Sequence, residues 1–216
     1  MLKNLILLLT ITFTASCQNK QAQKQHIETT QDNQNMQTTQ DIKTVFQWHE
    51  GVNAPAGYPV EVYRGGLEDP STSLAGMGGS ANIWGSPSSG MSNGIKGIPK
   101  RLNCIWVAYA EDCEYKIDCA IDYDKMLHLF NEGFYSGMRK MGKKRDTYNA
   151  ITVGFAPGGV VVVWLSGAGK QVEVGRYQGE KTKISQAEIN SLDSHERLLF
   201  DPVDRKSTME NTGVVP

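Results

Sequence analysis

Metal-ligating spacing is missing from this sequence. Its 216 residues hold four histidines, and none stands at a ligating interval from another His or from a pair of Cys. Cysteine is sparse too, four in all and without a CxxC, so no metal site is expected. Charge of one sign is lacking: 22 Lys and Arg offset 23 Asp and Glu, for a formal net charge of -1. That balance excludes the clustered basic footprint of a nucleic-acid binder. No apolar run approaches the roughly 18 residues of a membrane-spanning helix. No Ser/His/Asp or Cys/His/Asn set is suggested by context, so the chain reads as non-enzymatic, with no catalytic residue and no cofactor.

What is present starts with a leader. Lys3 supplies a positive start, residues 5–13 are a short apolar run, and "TASC" ends at Cys17, the pattern of a signal peptide. Ala15 and Ser16 before that cysteine resemble a bacterial lipoprotein box, with Thr14 where such boxes most often carry Leu. The resemblance implies cleavage before Cys17 and acylation of that residue, which would anchor the chain to a membrane. Gln18 resembles the residue that follows the cysteine in lipoproteins sent to the outer membrane, which implies a periplasm-facing location. Residues 18–44 have almost no apolar side chains and no period, so they read as a disordered polar tether. As a random coil of about 27 residues it spans roughly 30 Å. The expected organisation is a signal over 1–16, a tether over 17–44, one domain over 45–205 and a flexible tail over 206–216.

The domain opens with "TVFQWHE" and "YPVEVYRGG", two strand-like runs joined by "GVNAPAG". Residues 71–100 shift to Gly, Ser, Asn and Met, as a long binding loop would. Two strings in it fail as motifs. "GMGGSA" lacks the strand and helix of a dinucleotide fingerprint, and "GMSNG", with Ser92 at its centre, lacks those of a nucleophile elbow.

"NCIWVAYAEDCEYKIDC" reads as a hairpin turning at Glu111-Asp112. Centred there, the register pairs Ala110 with Cys113, Trp106 with Ile117 and Cys104 with Cys119, and places Glu114, Lys116 and Asp118 together on the other face. Opposed positions lie within disulfide range. In an oxidising setting a Cys104–Cys119 bridge is therefore expected, with Cys113 free. Asp122 then caps a helix over 122–139 whose Met126, Phe130, Phe134 and Met138 form one apolar stripe. His128 lies off that stripe. "NAITVGFA" and "VVVVWLSG" are strands, and "APGG" between them is turn chemistry, not a phosphate cradle, because no helix follows the glycines. "KQVEVGRYQGE" is another strand, and "SQAE" at Ser185 is a capping box.

The strings "YPVEVYRGG", "NIWG", "CIWVAYAE", "DYDKMLHLF", "ITVGFAPGGVVVVWLSG" and "VEVGRYQ", spread from about Trp48 to Gln178, resemble the domain of unknown function 2931 family of Gram-negative lipoproteins. That family lends no catalytic residues, and Cys104, Cys113 and Cys119 are not part of its pattern. The resemblance implies a setting beside secreted antibacterial effectors, as immunity-type lipoproteins have. The fold expected is α+β: a mostly antiparallel sheet of six to eight strands with one main helix, residues 122–139, packed on a face. A β-sandwich with a peripheral helix is the alternative. For function, two readings stand: a lipid-anchored, immunity-type protein binding a periplasmic effector, or a structural or solute-binding outer-membrane lipoprotein. Candidate partner-binding residues are Met77, Trp84 and Met91 in the Gly/Ser-rich loop, Trp and Met being favoured in interfaces.

Overall fold

The computed structural model describes residues 42–80, 83–87, 89–90, 92–137 and 142–211. Its strands are β1 (Val45–Asn53), β2 (Val60–Glu68), β3 (Thr72–Ser73), β4 (Gly78–Gly79), β5 (Asn93–Gly97), β6 (Arg101–Ala108) and β7 (Cys113–Ala120), then β8 (Phe134–Ser136), β9 (Lys144–Asp146), β10 (Ala150–Ala156), β11 (Val160–Gly167), β12 (Lys170–Gln178) and β13 (Glu180–Thr182). The helices are α1 (Tyr123–Glu132), α2 (Gln186–Ser191), α3 (Ser194–Arg197) and α4 (Pro202–Asn211). One sheet runs β12-β11-β10-β1-β5, a second runs β13-β7-β6-β2-β3 with β4 on β2, and β8-β9 is a separate hairpin. Among the described residues β1–β10 is the one parallel pair.

The two larger sheets bury their inner faces against each other in one core. The first contributes Trp48, Val52, Ile151, Val153, Phe155, Val161, Val163 and Leu165, and the second Val62, Leu102, Cys104, Trp106, Tyr115 and Ile117. Most of these residues are β-branched or aromatic, and they recur with period two, the pattern that suits a pleated surface buried on one face. Trp106 of β6 and Phe155 of β10 meet across the gap with ring centroids 4.6 Å apart.

The architecture is therefore mostly β, and the expected sheet with one main helix on a face is not what forms. Asp122 does cap α1, accepting from the Lys125 N–H at 3.0 Å, and Met126 and Phe130 are buried. The helix stops at Glu132 because Gly133 takes φ 62 and lies so close to the Asp146 carbonyl that a Cβ there would clash. Phe134, the next residue of the expected stripe, belongs to β8, and Met138 lies outside the described residues. A four-residue spacing thus continued past the glycine that ended the helix.

The hairpin register is also corrected. A 3-10 turn at Tyr109–Glu111 and a left-handed Asp112 (φ 46) fill the connection, so Ala108 faces Cys113, Cys104 faces Ile117 and Leu102 faces Cys119. This is a slip of two residues. It keeps every side chain on its expected face while setting the two cysteines two cross-strand pairs apart, and Cys104, Cys113 and Cys119 are all free. The Gly/Ser-rich stretch contains β3, β4 and β5 instead of lacking structure. The tail expected beyond Arg205 continues as α4 to Asn211.

Candidate functional site

A buried charged cluster lies under an edge strand. β5 borders the five-stranded sheet, and its register on β1, Phe46 opposite Lys96 and Trp48 opposite Gly94, turns Lys96 toward the core side. There its Nζ donates to Glu50 Oε2 at 2.6 Å and sits 4.0 Å from the centre of the Trp48 ring. Glu50 is 1 % exposed. Ser92, just before β5, donates its N–H to Glu50 Oε1 at 2.8 Å and its hydroxyl to Oε2 at 2.7 Å, and accepts from Lys96 at 2.8 Å. Burial raises the Glu50 pKa, but the bonds from Lys96 and Ser92 outweigh it and hold the carboxyl below its ordinary range.

This geometry locks the strand rather than arming a nucleophile. A serine activated by lysine needs a neutral amine, whereas Lys96 is ion-paired with Glu50 at 2.6 Å. A carboxylate with a lowered pKa is in turn a poor base for a hydroxyl. β5, a strand, follows Ser92 where an elbow would need a helix. An inward-pointing charge on an edge strand also discourages pairing with a foreign edge.

The outer face of the same sheet is strapped by residues 83–87, 89 and 90. Asn53, fully buried, accepts from the Gly85 N–H at 3.0 Å and donates to the Ser86 carbonyl. Gly51 leaves room for Pro87, whose Cβ would lie 2.5 Å from any Cβ there, and Gly154 leaves room for the rings of Trp164 and Trp84. Trp84 is half-buried edge-on against Trp164, centroids 4.8 Å apart. Met77 is 2 % exposed in the core, so as it stands it presents no contact to a partner. Met91 and Cys17 lie outside the described residues.

Two further polar locks join distant parts of the chain. Glu111, at the tip of the β6–β7 connection, accepts from the Gly158 N–H at 3.1 Å and from the Tyr115 hydroxyl at 3.1 Å. It thereby ties the Pro157–Gly159 turn of one sheet to a loop of the other. Arg205 of α4 is 8 % exposed. It pairs with Glu114, 9 % exposed, with Asp112 at 3.1 Å and with the Leu199 carbonyl at 2.7 Å. Arg205→Ala is expected to cost about 2 kcal/mol, because losing one partner strands the other in a buried site. Detachment of the C-terminal helices lets Glu114 reach water and limits that cost. Amide exchange should rise over α4 and stay unchanged in β10 and β11. Equal protection of α4 in both proteins would refute the latch.

Sequence reasoning missed Glu50, Lys96 and Arg205. One signal was legible: Trp48, Glu50 and Val52 share parity in β1, which places a carboxylate on an apolar face and demands a partner. Cys104 and Cys119 are held toward the unreactive thiol form. Burial pushes the Cys104 thiol far up, and burial with Asp118 beside it raises Cys119. No described helix is long and apolar enough to cross a membrane.

Such features define a two-sheet β-sandwich whose buried charges hold edges, turns and a terminus in place. The chain belongs to the family described as protein of unknown function (DUF2931), whose model matches residues 21–213. This bears out the family resemblance seen in the sequence and extends it at both ends. No curated protein and no solved structure matches the chain.

Proposed function

We propose that the chain is a non-enzymatic envelope protein, lipid-anchored through Cys17 on the outer membrane and facing the periplasm, whose sandwich recognises another protein in the manner of an immunity protein. The observation that carries the recognition reading is the outer face of the five-stranded sheet. Val45 and Ile95, on adjacent strands toward the start of β1, are 53 % and 77 % exposed, and Ile83, on the strap that Asn53 fixes at the far end of β1, is 69 % exposed. Apolar side chains presented on a rigid support suit protein recognition. Trp84 borders this face, so of the three loop candidates it supports the reading best.

The anchor is tested by Cys17→Ser. Wild type should partition with membranes and carry the mass of attached acyl chains, and the variant should be soluble and lack that mass. Membrane retention of the variant with unchanged mobility would sink the anchor. Recognition is tested by deleting the gene and co-culturing with effector-producing sister cells. A sensitive deletion strain, rescued by wild type but not by Ile95→Asp, supports the reading. A strain of unchanged sensitivity favours the structural or solute-binding alternative.

A further inference from the structure

We infer that the end of the sandwich where the tether joins is a docking surface for anionic phospholipid. The inference rests on the anchor reading above. Lys43 is tied to α1 by a reciprocal pair of bonds, its N–H to Asn131 Oδ1 at 3.0 Å and Asn131 Nδ2 to its carbonyl at 2.9 Å. The chain that leads back toward Cys17 therefore leaves beside the C-terminal turn of α1. Glu132, the last residue of α1, and Gly133 after it line a groove of about 510 Å³ with Leu129, Tyr148 and Val172 in its wall and Tyr135, Arg145 and Lys170 around it.

Elsewhere among the described residues cations are of both kinds: Lys100, Lys125, Lys181, Lys183 and Arg197 form no ion pair and others do, whereas at this end several unpaired ones gather together. Arg64, Arg101, Lys116 and Arg176 each pair with a carboxylate. Among the described residues Lys43, Lys143, Lys144, Arg145 and Lys170 form no ion pair. Arg145 is oriented without being neutralised, because its guanidinium donates to the Glu132 backbone carbonyl at 2.7 Å. Two acids lie nearby and are outnumbered by these cations: the Glu132 carboxylate faces His128 at 3.1 Å, and Asp146 accepts from Ser136 at 3.0 Å and from the Thr147 N–H at 2.9 Å. Tyr135 stands opposite Arg145 across the β8–β9 hairpin and is 68 % exposed, and Ile42, next to the tether junction, is 70 % exposed.

Unpaired cations with an exposed tyrosine and an exposed aliphatic side chain are the composition that sits at a phospholipid headgroup layer. A phosphate would take the free guanidinium and ammonium donors, while Tyr135 and Ile42 would meet the glycerol level. The tether read from the sequence is long enough to let this end face the surface to which Cys17 is attached. The lipid then does more than hold the domain nearby: it sets the orientation of the domain on the surface.

The test uses the chain without residues 1–16 and with Cys17→Ser, so that no acyl group contributes. Sedimentation with vesicles of phosphatidylglycerol and phosphatidylcholine is compared with phosphatidylcholine alone, at low and high salt. The expected result is retention on the anionic vesicles only, weakening with salt and falling about tenfold in Arg145→Gln/Lys170→Gln, since each cation near such a surface is worth several-fold. The variant's near-ultraviolet circular dichroism should match wild type. Inorganic phosphate should displace no more than chloride at equal ionic strength. No anionic retention, equal retention on neutral vesicles, an unaffected double variant, or displacement specific to phosphate would each overturn the proposal. If wild-type protein carries no acyl mass while anionic retention persists, the anchor fails and the docking surface stands.

Discussion

Trp106→Ala is expected to lower unfolding free energy by about 4 kcal/mol, in the range for deleting a buried tryptophan. The side chain is 1 % exposed, lies 4.6 Å from Phe155 of the facing sheet and 5.4 Å from Tyr115 on the neighbouring strand. It also packs so closely on Gly179, between β12 and β13, that no side chain would fit there. Three elements from both sheets thus meet one indole, and none can collapse into the space without parting from another. For a domain of this size, each kcal/mol is about 2–4 °C, so melting should fall by roughly 8–16 °C. A loss below about 1 kcal/mol would mean that the sheets are held elsewhere.

Glu50→Ala comes next, at about 3 kcal/mol, the lower end for breaking a buried pair. It leaves the Lys96 ammonium, the Ser92 hydroxyl and the Ser92 N–H without their acceptor. The damage should appear first in β5, as faster amide exchange over 93–97. Glu50→Gln separates charge from shape through pH. Because the folded carboxyl lies below its ordinary value of 4.5, its contribution is complete above that value and is lost as pH falls through the folded one. The stability gap between wild type and Glu50→Gln should therefore be constant near neutral pH and close in acid. A gap independent of pH down to about 3 would show that the carboxylate charge contributes nothing.

Much of this molecule was legible where local chemistry decides. The Pro157–Gly159 turn, the Asp122 cap and the Ser185 cap, which accepts from the Glu188 N–H at 3.2 Å, all form as their residues dictate. The hairpin shows the limit of pattern. Alternation specifies which face a side chain takes, so it forbids a slip of one residue and permits a slip of two, and turn length alone chose between Cys104–Cys119 and Cys104–Ile117. Gly133 was visible as a breaker inside the helical stripe, but the stripe continued beyond it. Arg205 could not be read at all: its partners Asp112 and Glu114 are some ninety residues away, and no local period marks them. Glu50 and Lys96 are likewise joined only by the β1–β5 pairing.

That β1 lies parallel to β10, with His49 opposite Ala150, has a kinetic meaning. β1 is the first strand of the sandwich to be synthesised, and its central-sheet partner follows about a hundred residues later, a long loop to close before any contact rewards it. β10 and β11 can pair at once through their short turn. The five-stranded sheet should therefore nucleate from its later strands and recruit the oldest one last, leaving Trp48 and Val52 in water during the wait. That interval is when a holdase would matter most, and its client segment would be residues 45–53.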